Sequence, residues 1–473
     1  MLQPLLPTSA RTRLAALLAR PGPVAVSLEG RAGEDVLAPL LSVLDRRRRL
    51  VFSAPGLTDL ESQDLFRRCV LEGLGTEPPP TSSWSEALGY VFQGGPMILV
   101  LHRPNLLAQA NRQFWAELGK AWVAVRKAGT RSALLLAQEE HGLASSLGGA
   151  ESPFALPAEE LGPAPHNGPL ERVTVPLRSP WDMAAAGSPW TGPDLLTAWS
   201  LLGTNPERWR SASTRRDPRS AVRDLILGRA GPYEPPDALL GRLVQTPHRY
   251  ASMLRALARG AHSRRELSKA VDRASTSRSA SGPYLRRLME LGLVSPLRPL
   301  DAGPRSRKSR YRLTDPHEAL WWAWIHALGA RIRTDAHPEP LWARAVGPRI
   351  QGHQVATLSS AVEAFLRNSA SDRFGAPPRE VGPLWGDGYD FPVAATLRNG
   401  AVCYAHIHAG TSAAGLEELA RLEDQMREVR YGFGRQARLR LLVSLTGFRD
   451  GLRREAARSP LIQLIGAAEL AGS

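Results

Sequence analysis

Sixteen arginines and lysines lie between Arg249 and Arg312, against four acids, Glu266, Asp272, Glu290 and Asp301. Guanidinium and ammonium groups at this density suit one chemistry: they pair with phosphates and displace the counterions around them. The chain carries a formal charge of +15, and this segment holds most of the excess. A merely solvated surface would spread its charge. Concentration in one stretch favours an anionic partner, nucleic acid before membrane. Only four of the 60 basic residues are lysines: Lys120, Lys127, Lys269 and Lys308. Any chemistry that needs a lysine has those four places to look.

Other positions carry catalytic residue types without their usual partners. The apolar run Val24–Leu28 leads into Glu29, Gly30, Arg31, Ala32, Gly33, Glu34 and Asp35. A phosphate-binding loop needs a lysine and a hydroxyl after its glycines. Here Glu34 and Asp35 stand in those places, and two carboxylates repel a triphosphate. Arg31 is the remaining candidate anion contact, although a degenerate ATPase-like loop without hydrolysis is the simpler reading. The run Met97–Leu101 would end in acids that handle magnesium, but it ends in His102 and Arg103. Towards the C-terminal end, Asp390 and Glu363 carry the residue type that metal-assisted chemistry uses. Ala405 and Ile407 alternate with His406 and His408, so the two histidines share one strand face. With Asp390 they would form a two-histidine, one-acid metal site, although a polar strand face explains them more simply. Asp387 and Glu380 read as loop residues. The chain has two cysteines, Cys69 and Cys403, which excludes a disulfide scaffold and a multi-cysteine zinc site. No Gly-x-Ser-x-Gly elbow is present, and His141 has no second histidine within a helical turn.

The elements that must position the basic residues can be read from periodicity. Met253, Leu254 and Leu257 give Arg249–Arg259 one apolar helical face, closed by Gly260. Ser263 and Glu266 form a capping box that opens a second helix, running to about Val271. A serine-rich turn follows, Asp272–Ser281, and then a third helix, Tyr284–Leu293. Leu293 and Val294 start a strand, and Ser309 to Leu313 alternate like its return. Three helices and a basic hairpin make a winged helix-turn-helix. The third helix would enter the major groove with the serine-rich turn at its leading end. The candidate DNA contacts on the helices are Arg264, Arg265, Lys269, Arg273, Arg286 and Arg287. In the turn they are Ser275, Ser277, Arg278 and Ser279. On the hairpin they are Arg305, Arg307, Lys308, Arg310 and Arg312.

Three stretches carry a family resemblance: Tyr284 to Val294, Arg310 to Asp315, and the aromatic Trp321, Trp322 and Trp324. The region from Ser252 to Trp324 resembles the winged-helix part of the archaeal-type ATPase family. The resemblance implies an N-terminal P-loop ATPase domain, a winged helix, and a C-terminal domain of the restriction-endonuclease-like type. The expected architecture is therefore α/β: a degenerate ATPase-like parallel sheet (residues 1–235), a helical winged helix-turn-helix (236–330), and a nuclease-like α/β domain lacking the full catalytic motif (331–473). Short apolar runs support the first part: Val24–Leu28, Leu50–Ser53, Met97–Leu101, Leu134–Leu136 and Val173–Leu177, separated mostly by helical stretches. Thr76–Ser83 and Gly148–Gly168 read as loops. The third part reads as a helix (Ala361–Ala370), two strands (Asp390–Leu397 and Ala401–His408), a helix (Leu416–Tyr431) and a strand (Arg438–Ser444).

No apolar run reaches the roughly 18–20 residues that span a bilayer, and no signal pattern opens the chain. The expectation is a cytoplasmic, nucleoid-associated protein that binds double-stranded DNA, needs no cofactor, and is not an enzyme because both catalytic signatures look lost. Self-association or a protein partner is open. The alternatives are a metal-dependent nuclease using Asp390, Glu363 and His406, or an adaptor whose winged helix docks on an acidic protein.

Overall fold

The computed structural model describes residues 5–44, 47–80, 83–143, 147, 154, 170–212, 217–227, 233–273, 281–303, 306, 308–329, 339–431 and 437–472. The loop expected over Gly148–Gly168 lies almost wholly outside the described residues. The chain divides into two compact units. One comprises Pro4–Leu177 with Met289–Leu293; the other is built from Arg178–Leu288 and Val294–Ser473.

The first unit is a five-stranded parallel sheet. Its strands are β1 (Val24–Glu29), β2 (Arg49–Ser53), β3 (Ile98–His102), β4 (Ala133–Gln138) and β5 (Glu171–Thr174), in the order β2-β3-β4-β1-β5. Strands β1, β3 and β4 are buried along their whole length. Each is largely apolar, with Ser27 and the end residues Glu29, His102 and Gln138 as buried polar exceptions, because both faces of the sheet are covered. Leu134 and Leu136 pack on one face with Phe66, Trp84, Phe114 and Trp122. Leu135 packs on the other with Leu14, Val26, Leu28 and Leu40. Helices α1 (Thr8–Leu18), α2 (Leu37–Val43), α3 (Asp59–Leu74), α4 (Trp84–Gln93), α5 (Pro104–Ala110) and α6 (Phe114–Ala128) supply these covers. Lys120 sits mid-way along α6 and is exposed.

The second unit opens with helices, among them α7 (Gly192–Leu202). Then come α8 (Pro247–Ala258), α9 (Arg264–Arg273) and α10 (Ser281–Glu290), followed by the antiparallel pair β6 (Val294–Leu297) and β7 (Arg310–Leu313). The register Val294↔Leu313 to Leu297↔Arg310 closes the hairpin. Trp321 and Trp322 are buried within a π-helical turn, Trp321–Ile325. Trp324 stacks edge-on to His353, so these aromatics serve packing.

The C-terminal sheet has the order β12-β11-β10-β9-β8. Its strands are β8 (Pro378–Gly386), β9 (Tyr389–Leu397), β10 (Val402–His408), β11 (Arg438–Ser444) and β12 (Ile462–Gly466). β8, β9 and β10 pair antiparallel; β10, β11 and β12 pair parallel. The helix expected over Ala361–Ala370 is the middle of a 25-residue helix, α11 (Ile350–Phe374). The helix that follows β10 is α12 (Leu416–Glu428). The expected fold class, mixed α/β with a parallel sheet first and a separate mixed sheet at the C-terminal end, is the one observed. Glu380 departs from its reading: it lies in β8. Strand pairing with Thr396 outweighs its turn-like neighbours, because an edge strand tolerates proline and charge.

A polar knot fixes the middle of the second unit. Asp315 is fully buried and caps the helix Pro316–Leu320. Its carboxylate accepts from Thr204 N–H (3.0 Å), Thr204 Oγ1 (2.9 Å), Arg208 Nη1 (2.9 Å) and Glu318 N–H (3.0 Å). Gly203 has φ +71, and a Cβ there would lie 2.4 Å from Asp315 Oδ1. Only glycine lets the backbone approach this closely.

Candidate nucleic-acid interface

Helices α9 and α10 bury one face each and leave basic residues on the other. Leu267 and Val271 of α9, with Leu285 and Leu288 of α10, are in the core. Arg264, Arg265, Lys269 and Arg286 are exposed. The start of α9 is set by the capping box read from sequence: Glu266 N–H donates to Ser263 Oγ (3.3 Å), and Ser263 N–H donates back to Glu266 (2.8 Å). Those hydrogen bonds from Ser263 hold the Glu266 carboxyl below its ordinary range. Ser268 and Ser281 hydroxyls meet at 2.5 Å, joining α9 to the first residue of α10. A Cβ on Gly282 would lie 2.9 Å from Arg264 Nη2, so the Arg264 guanidinium sits over the first turn of α10. Arg249 donates to the Tyr284 hydroxyl and lies over its ring, which ties α8 to α10.

Several candidate contacts are placed differently. Arg310 and Arg312 of β7 do not point to open solvent. Arg310 Nη1 donates to Asp390 Oδ2 at 2.7 Å, and its guanidinium lies 4.5 Å from the Trp385 ring centroid. Arg312 Nη1 reaches Glu363 Oε1 at 3.3 Å. Lys308 is exposed and lies 3.8 Å from Asp301. Arg287 is half-buried. Ser275, Ser277, Arg278, Ser279, Arg305 and Arg307 lie outside the described residues, as does the Arg273 side chain.

The acids proposed for nuclease chemistry therefore each have a basic partner. Asp390 holds Arg310; Glu363 holds Arg312 and, at 3.3 Å, Arg367. A cleft of about 570 Å³ lies beside these pairs, lined by β7, α8, α11 and the β8–β9 turn region, with Leu257, Trp324, His353 and Pro392 among its walls. The alternative grouping of Asp390 with His406 and His408 is not formed. Both histidines turn to Glu418 in the first turn of α12, at 2.7 and 3.2 Å. Burial pushes His406 down, against the pull of Glu418. Sequence reading missed Glu418; the available signal was an acid opening the helix after a two-histidine strand. Among the described residues, no group of three or more His, Cys, Asp or Glu is arranged to hold a metal.

The loop after β1 is also occupied. Gly30 N–H donates to Gln138 O (2.8 Å) and Ala32 N–H to Leu291 O (3.0 Å). Arg31 and Glu34 are both buried, 3.9 Å apart. Asp35 accepts from the N–H groups of Leu37 (2.9 Å) and Ala38 (3.2 Å), so a side-chain carboxylate caps α2.

No family model and no curated protein matches the chain. Among solved structures it is similar to the Walker-type ATPase PABY2304 of Pyrococcus abyssi, at 14% identity over 67% of this chain and 95% of that one, TM-score 0.47. It is similar to Cdc6p from Pyrobaculum aerophilum, at 16% identity over 66% and 91%, TM-score 0.29. A third is Drosophila ORC bound to DNA, at 12% identity over 68% and 88%, TM-score 0.31. At these values the likenesses assign neither ligand nor activity, and the fold rests on the strand order above. The expectation that the chain is not an enzyme is withdrawn, because the solved structures similar to it include a Walker-type ATPase. Among the described residues, no helix is long and apolar enough to cross a membrane.

Proposed function

We propose that the chain binds duplex DNA through a winged-helix module formed by α8, α9, α10 and the β6–β7 hairpin. The observation that carries this reading is the exposed set Arg264, Arg265, Lys269 and Arg286 on two helices whose opposite faces are core. α10 is the element for the major groove, and the α9 residues beside its first turn contact phosphates. The hairpin divides in two: Lys308 faces DNA, while Arg310 and Arg312 hold the hairpin to the acids of β9 and α11. An acidic protein as the partner is the competing case, and salt dependence on bare duplex separates the two.

The test is duplex affinity across a salt series. Wild type is compared with Arg264→Ala/Arg265→Ala/Lys269→Ala and with Arg305→Ala/Arg307→Ala/Lys308→Ala. Each phosphate contact contributes about 0.9 to the slope of log K against log salt. Both variants should bind more weakly and with a shallower slope. Wild-type binding that ignores salt, or an α9 variant that binds as wild type does, overturns the proposal.

A further inference from the structure

Three adjacent strands of the first unit end in polar residues that hydrogen-bond in a row. Ser53 closes β2, His102 closes β3, and Glu139 follows β4. The parallel register sets Ser53 beside His102 and His102 beside Ala137. Glu139 is two residues beyond Ala137, so all three side chains rise from one face at the carboxyl edge of the sheet. Ser53 Oγ lies 2.8 Å from His102 Nδ1, and His102 Nε2 lies 2.9 Å from Glu139 Oε1. Arg103 Nε donates to Glu139 Oε2 at 2.8 Å.

The direction of the proton follows from donor rules. Burial raises the Glu139 carboxyl, but its hydrogen bonds with His102 and Arg103 and the Arg103 charge hold the group below the ordinary range. An ionised carboxylate only accepts, so His102 carries its hydrogen on Nε2. In the neutral ring, Nδ1 is then the acceptor, and Ser53 donates to it. A hydroxyl hydrogen-bonded to a base, with the base held by an acid, is the arrangement that activates a serine.

Two further observations set this apart from an ordinary polar strand end. Arg103, which clamps the acid, has φ 55 and is the one non-glycine residue at positive φ among the described residues. Such strain gathers at active sites. Ser53 is exposed, whereas His102 is 8% exposed. The base is shielded while the nucleophile faces solvent. Beyond Ser53 the chain presents Leu57 (45% exposed) and Leu60 (71%) at the turn into α3.

We infer that Ser53 is an activated nucleophile, with His102 as its base and Glu139 as the positioning residue, acting on esters with apolar acyl groups. Ser53 Oγ bonds to the carbonyl carbon while its proton passes to His102 Nδ1. The ester C–O bond breaks, and the alcohol leaves with that proton. Water then adds to the acyl-serine through the same base, releasing the acid and restoring the hydroxyl.

The test is covalent labelling of the full chain by an alkyl fluorophosphonate, which bonds to an activated serine and releases fluoride. Labelling should map to Ser53 by peptide mass and vanish in Ser53→Ala, an exposed change that spares the fold. His102→Gln should lower the labelling rate constant by about a hundredfold or more. Glu139→Gln should lower the maximal rate constant without changing the half-saturating probe concentration, with its melting temperature unmoved. Wild type that takes up no more probe than Ser53→Ala overturns the inference. So does wild-type labelling that His102→Gln leaves unchanged in a variant that melts as wild type does.

Discussion

Gly203 and Asp315 show how much one position can control. A methyl at residue 203 would have to share space with the Asp315 carboxylate, at a backbone angle that resists a side chain. Gly203→Ala is therefore expected to displace the carboxylate from Thr204 and Arg208. Removing one partner of a buried ion pair costs about 3–5 kcal/mol, and the urea midpoint of the second unit should fall accordingly. Arg208→Met should produce a comparable loss by leaving Asp315 buried without its cation. Midpoints that stay within experimental scatter of wild type would show that the knot is dispensable. Asp315 was visible in the sequence only as the last residue of a motif. Its partners Thr204 and Arg208 lie more than 100 residues earlier, and no local spacing links them.

At the scale of elements, α9 depends on its first turn. Ser263→Ala removes the hydroxyl that accepts from Glu266 N–H, and loss of such a cap costs about 1 kcal/mol. Amide exchange should quicken over Arg264–Leu267 and leave the sheet of the first unit unchanged. DNA affinity should fall even though no positive charge is lost. This cap was legible in advance because a capping box is a local code. So were β1 to β4, since strands inside a parallel sheet are written as largely apolar runs; β5 (Glu171–Thr174) shares only Val173 and Thr174 with the expected run Val173–Leu177. β8 and β12 were not. β8 reads Pro378, Arg379, Glu380, Val381, Gly382, Pro383, a turn-like composition that only its edge position permits. β12 is five residues long, and its two buried residues, Ile462 and Ile465, fall on opposite faces, so it shows no alternation to read. The Ser53, His102 and Glu139 row was hidden for another reason. Each residue follows a different apolar run, and only the strand order β2-β3-β4 makes them neighbours. The polar residue at the end of each run was the available signal.

Across the whole molecule, acid should act first on the second unit. His317 is buried with Nδ1 on Leu201 O (2.7 Å) and Nε2 on the Tyr233 hydroxyl (2.8 Å). Burial pushes it down from 6.5 to about 3, and pushes His353, on Ser200 O, to about 4. The unfolded chain takes up protons on both at about pH 6.5, whereas the folded chain resists until far lower. Stability is thus complete above pH 6.5 and falls as pH drops, with both histidines contributing to about 4 and His317 alone to about 3. The slope approaches about 1.4 kcal/mol per pH unit for each histidine. Urea midpoints measured from pH 7.5 downwards should show it, and His317→Gln should flatten the curve. Two compact units also predict two unfolding steps, with the acid-sensitive one belonging to the unit that holds these histidines.

The outer strand β8 has one more consequence. Its pairing with β9 is interrupted between Pro378 and Glu380 and again between Gly382 and Leu384. Pro378 and Pro383 offer no N–H, and the Pro383 carbonyl is already taken by Leu300 N–H at 3.0 Å. A strand from another molecule finds no continuous row of donors and acceptors to zip onto. Concentrated solutions of the protein should therefore resist fibrous growth from this side of the sheet.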